Sequence, residues 1–143
     1  MRRRFPAGLA AAAIAVLGAC SSVPYEQRQQ QTHDRFMAYA GAPIDQFSWL
    51  GRFDSWQSLS RSELVVFTTP WDAYYMKIWL PCDTRFANHI ALTSTAATVS
   101  AHLDAVRIGR DRCPIDEIRP IDYRRMKADL QKDPKPPPPQ VSK

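Results

Sequence analysis

The sequence lacks the short motifs that identify several large classes of enzyme and metalloprotein. It contains no Gly-x-Ser-x-Gly, no glycine-rich phosphate loop, no His-Glu-x-x-His and no Cys-x-x-Cys. The three histidines, His33, His89 and His102, include no pair at the spacing of metal ligands. We therefore expect no catalytic residue, no metal ion and no cofactor, and we predict that the protein is not an enzyme.

The N-terminal region lacks a hydrophobic run long enough for a permanent transmembrane helix. Residues 7–19 are apolar apart from two glycines, but they number 13, whereas a spanning helix needs about 20. Arginines at positions 2–4 precede this run. Positive charge followed by a short apolar stretch with small residues at its end is typical of a secretory signal, and we assign residues 1–19 to a signal peptide.

The junction after the apolar run reads Leu17-Gly18-Ala19-Cys20 and resembles the lipobox of bacterial lipoproteins. The resemblance implies that the sulfur of Cys20 carries a diacylglycerol, that the signal is removed before Cys20, and that the new amino group is acylated. Several acyl chains anchor a protein stably to a membrane, whereas one does not. Because Ser21 follows the cysteine where an Asp would imply retention in the inner membrane, the resemblance implies the periplasmic face of the outer membrane. A plain signal peptide with a chance cysteine is the alternative.

The basic charge of the chain is concentrated at its two ends. Lysine and arginine number 19 against 14 acidic residues, a formal net charge of +5 with a pI near 9.4. Residues 20–123, by contrast, hold 10 basic and 12 acidic residues, a net charge of −2. This part has no basic stripe with interleaved aromatic residues, so we expect no nucleic-acid partner.

Two cysteines remain once Cys20 is assigned to the lipid. In an oxidising compartment we expect Cys82 and Cys113 to form a disulfide, which encloses 30 residues. Small domains need such cross-links because they bury little apolar surface. Pro81 precedes Cys82 and Pro114 follows Cys113, and since proline favours strand ends, the bridge should join two strand termini. A free thiol pair is the alternative.

The pattern of the remaining residues favours an α+β fold that is mainly β. A spacer passes into a short helix, expected over about residues 26–40, with disorder as the alternative. Strands are predicted at residues 49–59 with a kink at Gly51, 64–69, 73–80, 89–94, 98–108 and 113–121, with the second and third forming a hairpin. They predict a small antiparallel sheet or barrel of about six strands, with short flanking helices at both ends.

Polar residues and prolines define the remaining boundaries. Residues 83–88 are expected to make one helical turn capped by Asp83, and residues 122–130 a helix capped by Asp122. The proline-rich tail is predicted to be disordered and extended as polyproline II. The predicted division is residues 1–19, signal peptide; 20–42, tether and short helix; 43–131, mainly β domain with one disulfide; and 132–143, tail.

Two groups of polar side chains have both a functional and a structural interpretation. His102 and Asp104 point the same way on the predicted strand, which suggests an acid–base pair, but a solvated strand face explains them better. A run of acidic residues near the end of the domain suggests a calcium site, but ion pairing with the interleaved arginines is the better explanation. The acidic residues are Asp111, Asp116, Glu117 and Asp122, and the arginines are Arg110, Arg112 and Arg119.

The four tryptophans are dense for so short a domain. We expect them to fill the core or cap the ends of a small barrel, and an aromatic groove for a sugar or a peptide is the functional alternative. They are Trp49, Trp56, Trp71 and Trp79.

Two segments carry a resemblance to a protein family. Residues 40–56, AGAPIDQFSWLGRFDSW, and residues 112–122, RCPIDEIRPID, resemble an uncharacterised family of Gram-negative envelope proteins, a domain of unknown function. The resemblance covers roughly residues 35–126. It implies a secreted or lipid-anchored β-rich domain with one cysteine pair, and it brings no activity and no catalytic residues.

These features predict a lipid-anchored periplasmic protein that acts as a binding or structural module of the cell envelope. The lipid anchor makes the membrane its first partner, and the second, a protein or an envelope polymer, is left open. The alternative is a small β-barrel inhibitor of an envelope-degrading enzyme such as lysozyme, which rests on analogy of size and fold alone. An exposed loop carrying serine and lysine would favour this alternative.

Overall fold

Strands account for most of the regular structure in residues 23–132, the part of the chain that the computed structural model describes. Within this part, two helices flank eight strands, as the sequence predicts for an α+β fold that is mainly β. In chain order they are α1 (Tyr25–Met37), β1 (Gln46–Ser48), β2 (Ser55–Ser58), β3 (Glu63–Phe67), β4 (Ala73–Ile78), β5 (Ile90–Leu92), β6 (Thr98–Ser100), β7 (Ala105–Ile108), β8 (Asp111–Ile121) and α2 (Tyr123–Lys132).

Six of these strands form a curled antiparallel sheet in the order β2-β3-β4-β8-β7-β5. Strand β8 is long enough to serve two partners. Residues 111–114 pair with β7, and residues 115–121 pair with β4 across an irregularity between Lys77 and Ile78. The other two strands, β1 and β6, form a separate antiparallel pair. The predicted antiparallel sheet of about six strands is confirmed.

Both faces of the sheet are covered, which explains why β3 is apolar without alternation. Leu64 and Val66 pack in a core with Phe47 of β1 and Val99 of β6. The intervening residues of β3 face a second core that contains residues of both helices. In this second core the ring of Phe67 lies 6.2 Å from that of Phe36 and 4.9 Å from that of Tyr123. A strand buried on both faces reads as a continuous apolar run.

The predicted hairpin of β3 and β4 is confirmed, but two other predicted strands are wrong in extent. Residues 98–108 are not one strand, because His102 has a φ of +64° in a turn that separates β6 from β7. Of the first predicted strand, residues 49–59, only Ser55–Ser58 form a strand, β2, and β1 lies before this range. Gly51, with a φ of +80°, lies in the loop between β1 and β2.

Residues 83–88 make a single hydrogen-bonded turn but no helix. The N–H of Ala87 donates to the carbonyl of Thr84 at 3.2 Å. Asp83 caps this turn as expected, because its Oδ1 accepts the N–H of Arg85 at 3.0 Å. The side chain of Thr84 is fully buried and donates to the carbonyl of Ser60, so it ties the turn to the body of the domain.

The two flanking helices confirm the sequence-based elements at both ends of the domain. Helix α1 begins one residue earlier than predicted and ends three residues earlier, and α2 begins directly after Asp122. The Oδ1 of Asp122 accepts the N–H of Arg125 at 3.1 Å, the hydrogen bond of an N-cap. The predicted signal peptide and nearly all of the proline-rich tail lie outside the described residues.

The predicted disulfide between Cys82 and Cys113 is present. The two Cα atoms lie 6.0 Å apart, inside the range that bonding geometry requires. Cys82 follows the end of β4, and Cys113 is the third residue of β8, fully buried in the core. The bridge therefore links the loop after β4 to β8. Pro114 lies within β8, where it pairs with Ala105, so the prediction that the bridge joins two strand termini is wrong.

We predict that removing this bridge destabilises the domain by about 2–5 kcal/mol, because the unfolded chain regains the freedom of a long loop. Urea unfolding of a Cys82→Ala/Cys113→Ala variant measures the loss. Reduction of the unmodified protein is the matched control and should shift the unfolding midpoint by a similar amount. An unchanged midpoint in both experiments would contradict the prediction.

Candidate functional site

A cluster of polar side chains lies where α1 crosses the start of β3. Its centre is the carboxylate of Glu63, which is half-buried. Oε2 accepts the hydroxyl of Ser60 at 2.6 Å, and Oε1 accepts the hydroxyl of Tyr75 at 2.6 Å. The Nε2 of His33 lies 3.2 Å from Oε1. Four residues from three parts of the chain thus meet at one carboxylate.

Strand register and helix periodicity bring these residues together. Glu63 and Val65 are two apart on β3, and Val65 pairs with Tyr75 of β4, so all three face the side of the sheet that the helices cover. On α1, His33 and Phe36 share a face because residues three apart are neighbours on a helix. Phe36 is buried in the helix-side core, and this packing directs His33 towards Glu63.

The environment of Glu63 stabilises its ionised form. The hydrogen bond from His33, followed by those from Ser60 and Tyr75, lowers the pKa of Glu63 to about 2, although burial acts in the opposite direction. Burial and the hydrogen bond to Glu63 raise the pKa of Tyr75. The carboxylate therefore remains an anion and Tyr75 remains a neutral hydrogen-bond donor at neutral pH.

His33 is held between two carboxylates. Its Nε2 faces Glu63, and its Nδ1 lies 3.2 Å from Oδ1 of Asp34. Both contacts are to groups that accept hydrogen bonds when ionised, so both ring nitrogens must carry protons for both bonds to form. The hydrogen bond to Glu63 raises the pKa of His33, against the effect of burial, and Asp34 acts in the same direction. In its protonated form the ring is a positive charge that fastens α1 to the sheet.

A cleft of about 390 Å³ opens beside this cluster. Glu26, Gln29 and Gln30 line it from α1, and Ser60 and Glu63 line it from the sheet side. The ring nitrogens of His33, which also lines the cleft, are already engaged in internal hydrogen bonds, so the cleft offers chiefly amide groups and carboxylate oxygens. Such a lining can bind a polar ligand that brings hydrogen-bond donors.

The structure separates His102 from Asp104 and assigns them different roles. His102 is exposed in the turn, whereas Asp104 is buried. Its Oδ2 accepts the N–H of Ser100 at 2.9 Å, and its Oδ1 accepts the hydroxyl of Thr93 at 3.1 Å. The prediction that the two side chains share a solvated strand face is wrong, because Asp104 closes the turn between β6 and β7 from the inside.

The acidic residues near the end of the domain are mainly engaged in ion pairs and a helix cap. Glu117 pairs with Arg119, as predicted, but Asp116 pairs with Lys77 of β4, at 3.8 Å. Asp122 caps α2. Throughout residues 23–132, no group of three or more His, Cys, Asp or Glu side chains is arranged to hold a metal ion.

The tryptophans divide between the core and the surface. Trp49 is buried in the core, and Trp56 is half-buried against it. Trp71 and Trp79 are exposed, with Trp71 lying 5.0 Å below the Nζ of Lys127. The expectation that all four fill the core or cap its ends therefore fails for the two exposed residues.

Sequence reasoning missed the cluster around Glu63. His33 and Glu63 are 30 residues apart, and no spacing rule connects a helix residue to the first residue of a strand. The signal available in the sequence was the spacing of His33 and Phe36. Residues three apart lie on one helix face, so a histidine beside a phenylalanine that packs in the core indicates a partly buried histidine in need of a polar partner. Cys20, the predicted lipidation site, lies outside the described residues.

A comparison with known protein families finds a match over most of the chain. The model described as "Family of unknown function (DUF6491)" matches residues 1–135, and the chain belongs to this family. The expected relationship to an uncharacterised domain is thus confirmed. No curated protein and no solved structure gives a significant match to the chain.

The cluster around Glu63 makes the stability of the domain depend on pH in two directions. The pKa of His33 is raised above 6.5 by its hydrogen bond to Glu63, so its contribution is complete below pH 6.5 and is lost as the pH rises through the folded-state pKa. The pKa of Glu63 is lowered from 4.5 to about 2 by the same bond, so its contribution is complete above pH 4.5 and is lost as the pH falls. The cluster therefore stabilises most between pH 4.5 and 6.5.

We predict that a His33→Gln variant loses the decline in melting temperature on the alkaline side of this window, because glutamine does not titrate. A Glu63→Gln variant should lose about 1–3 kcal/mol at neutral pH, since its partners lose a charged acceptor. Thermal unfolding followed by circular dichroism across the pH range measures both effects. His89→Gln, at an exposed loop position, is the control and should match the unmodified protein. An alkaline decline that survives in His33→Gln would refute the role of His33.

Proposed function

We propose that this chain is a lipid-anchored periplasmic protein that acts as a binding or structural module at the outer membrane. The observation that carries the proposal is the sequence Leu17-Gly18-Ala19-Cys20 at the end of a short apolar run that follows three arginines. This arrangement is that of a secretory signal, with a cysteine where a lipoprotein carries its lipid.

The use of the cysteines supports the proposal. The sequence has three cysteines, and Cys82 and Cys113 are bonded to each other. Cys20 is therefore the one cysteine of the sequence outside this pair, and its thiol is available for a lipid. A structural disulfide also suits an oxidising compartment such as the periplasm.

The short stretch of chain between Cys20 and α1 limits how far the described residues would lie from a membrane. Neither helix of residues 23–132 has the length and apolar character needed to cross a bilayer. Helix α1 begins at Tyr25, five residues after Cys20. Five residues extend over at most about 18 Å, so a lipid on Cys20 would hold the start of α1 close to the membrane surface.

The polar cleft beside Glu63 is the candidate binding site of such a module. Its lining of Gln29, Gln30 and Glu26 beside the ionised Glu63 suits a ligand with several hydrogen-bond donors, such as an envelope polymer or a protein segment. The alternative of a lysozyme-type inhibitor calls for an exposed loop with serine and lysine. The lysines of residues 23–132 lie in β4 and α2 instead, which favours the binding module.

We predict that a Cys20→Ser variant loses its lipid and its location in the outer membrane, because the acyl chains need the cysteine sulfur. Metabolic labelling with an alkyne fatty acid and the intact mass of the mature protein measure lipidation, and fractionation with a high-salt wash measures location. A Ser21→Asp variant is the matched control, which should keep its lipid but remain in the inner membrane. Lipid label on the Cys20→Ser variant would refute the proposed anchor.

A further inference from the structure

One end of the molecule exposes a group of large apolar side chains, here called the apolar end. Trp79, Leu80 and Phe86 lie in the loop after β4, with 58%, 63% and 81% of their surface exposed. Tyr25 at the start of α1 is 64% exposed. Scattered apolar residues are ordinary on a protein surface, but a concentration of them marks a site of interaction with another molecule or with a membrane.

A shared depression and one hydrogen bond place the start of α1 and the loop after β4 at the same end. Tyr25 and Arg28 line one side of a shallow depression whose other side is formed by Gln57 and Ser58 of β2. The hydroxyl of Ser58 lies 2.6 Å from that of Thr84, in the loop after β4. Ser58 therefore lies between the two segments, and Tyr25 and Phe86 belong to one surface.

The loop after β4 is fixed, so its apolar side chains are held outward. Thr84 donates its hydroxyl to the carbonyl of Ser60 at 2.6 Å and its N–H to the carbonyl of Arg61 at 2.8 Å. The disulfide fastens Cys82 to β8, and the N–H of Trp79 donates to the carbonyl of Pro114 at 3.1 Å. With these restraints, the exposed side chains cannot fold into the core without breaking the loop's own hydrogen bonds.

Arginines accompany the apolar side chains at this end. Asp83 pairs with both Arg85 and Arg61, at 2.7 and 3.3 Å, so two positive charges face one negative charge. The guanidinium of Arg85 lies 5.3 Å from the ring centre of Phe86. Tryptophan and tyrosine are enriched at membrane–water interfaces, and arginine can extend its charge to the headgroups while its stem lies on apolar surface.

We propose that the apolar end rests on the surface of a lipid bilayer, with Trp79, Leu80 and Phe86 at the level of the headgroups. The inference rests on the proposed lipid anchor, because the chain that precedes the structure leaves from this end. Cys20 is at most about 18 Å of extended chain from Tyr25. A lipid there would keep the apolar end at high effective concentration beside the bilayer, so even a weak contact would be occupied.

The opposite end of the β3–β4 hairpin provides an internal control. Trp71 lies in the turn between the two strands and is 52% exposed, similar to Trp79. Seven residues separate the two tryptophans, Asp72 and the six residues of β4, and β4 alone spans roughly 20 Å. If the apolar end faces the bilayer, Trp79 lies in the interface and Trp71 remains in water.

The test uses the lipidated full-length protein in vesicles of phosphatidylethanolamine and phosphatidylglycerol, with and without lipids brominated on the acyl chains. Bromine quenches tryptophan fluorescence only at short range. We expect the unmodified protein to be quenched, a Trp79→Phe variant to lose most of this quenching, and a Trp71→Phe variant to retain it. Equal quenching of the two variants, or none in the unmodified protein, would overturn the inference.

The same samples separate the failure of this inference from the failure of the proposed anchor. A protein that carries lipid by intact mass and sediments with the vesicles, but whose Trp79 is not quenched, retains the anchor and loses the docking surface. Such a result would also be expected if the apolar end binds a protein instead. A preparation without lipid by mass would refute the anchor and, with it, the tethering on which this inference rests.

Discussion

Strand β8 holds the sheet together, because its backbone serves three neighbours at once. Its first residues pair with β7 and its later residues with β4. In the same later stretch, the carbonyl of Ile118 accepts the N–H of Ile44 at 2.9 Å. The carbonyl of Pro120 accepts the N–H of Gly41 at 2.8 Å. Residues of both cores, the disulfide and the connection from α1 all contact this strand, so it joins the parts of the domain to one another.

The two helices are attached to the sheet by different means. Helix α2 packs through Met126 and Tyr123, is capped by Asp122, and accepts a hydrogen bond from the hydroxyl of Tyr39 at Oδ2 of Asp129, at 3.0 Å. Helix α1 buries Phe36 and also places the imidazole of His33 against Glu63. A half-buried charge pair stabilises only when both partners are present and hydrogen-bonded, so the attachment of α1 is more specific and more sensitive to its surroundings.

Local patterns predicted the elements whose partners are close in sequence. The β3–β4 hairpin follows from two apolar runs around Pro70, and the cap at Asp122 follows from one residue. The alternation of polar and apolar residues at 98–108 predicted one strand, but this segment contains two short strands separated by a turn at His102. The left-handed φ of His102 cannot be inferred from a pattern of polarity. The cluster around Glu63 depends on the position of α1 over the sheet, which no single segment encodes.

Both edges of the six-stranded sheet are short, since β2 has four residues and β5 has three. An exposed edge strand is a template on which another chain can form a further strand, and brevity limits the number of hydrogen bonds such a pairing can gain. Confinement to a surface brings copies of a protein together in two dimensions and aligns them in one orientation. Under such confinement, short edges would allow dense lateral packing of this domain without its sheets joining into a continuous array.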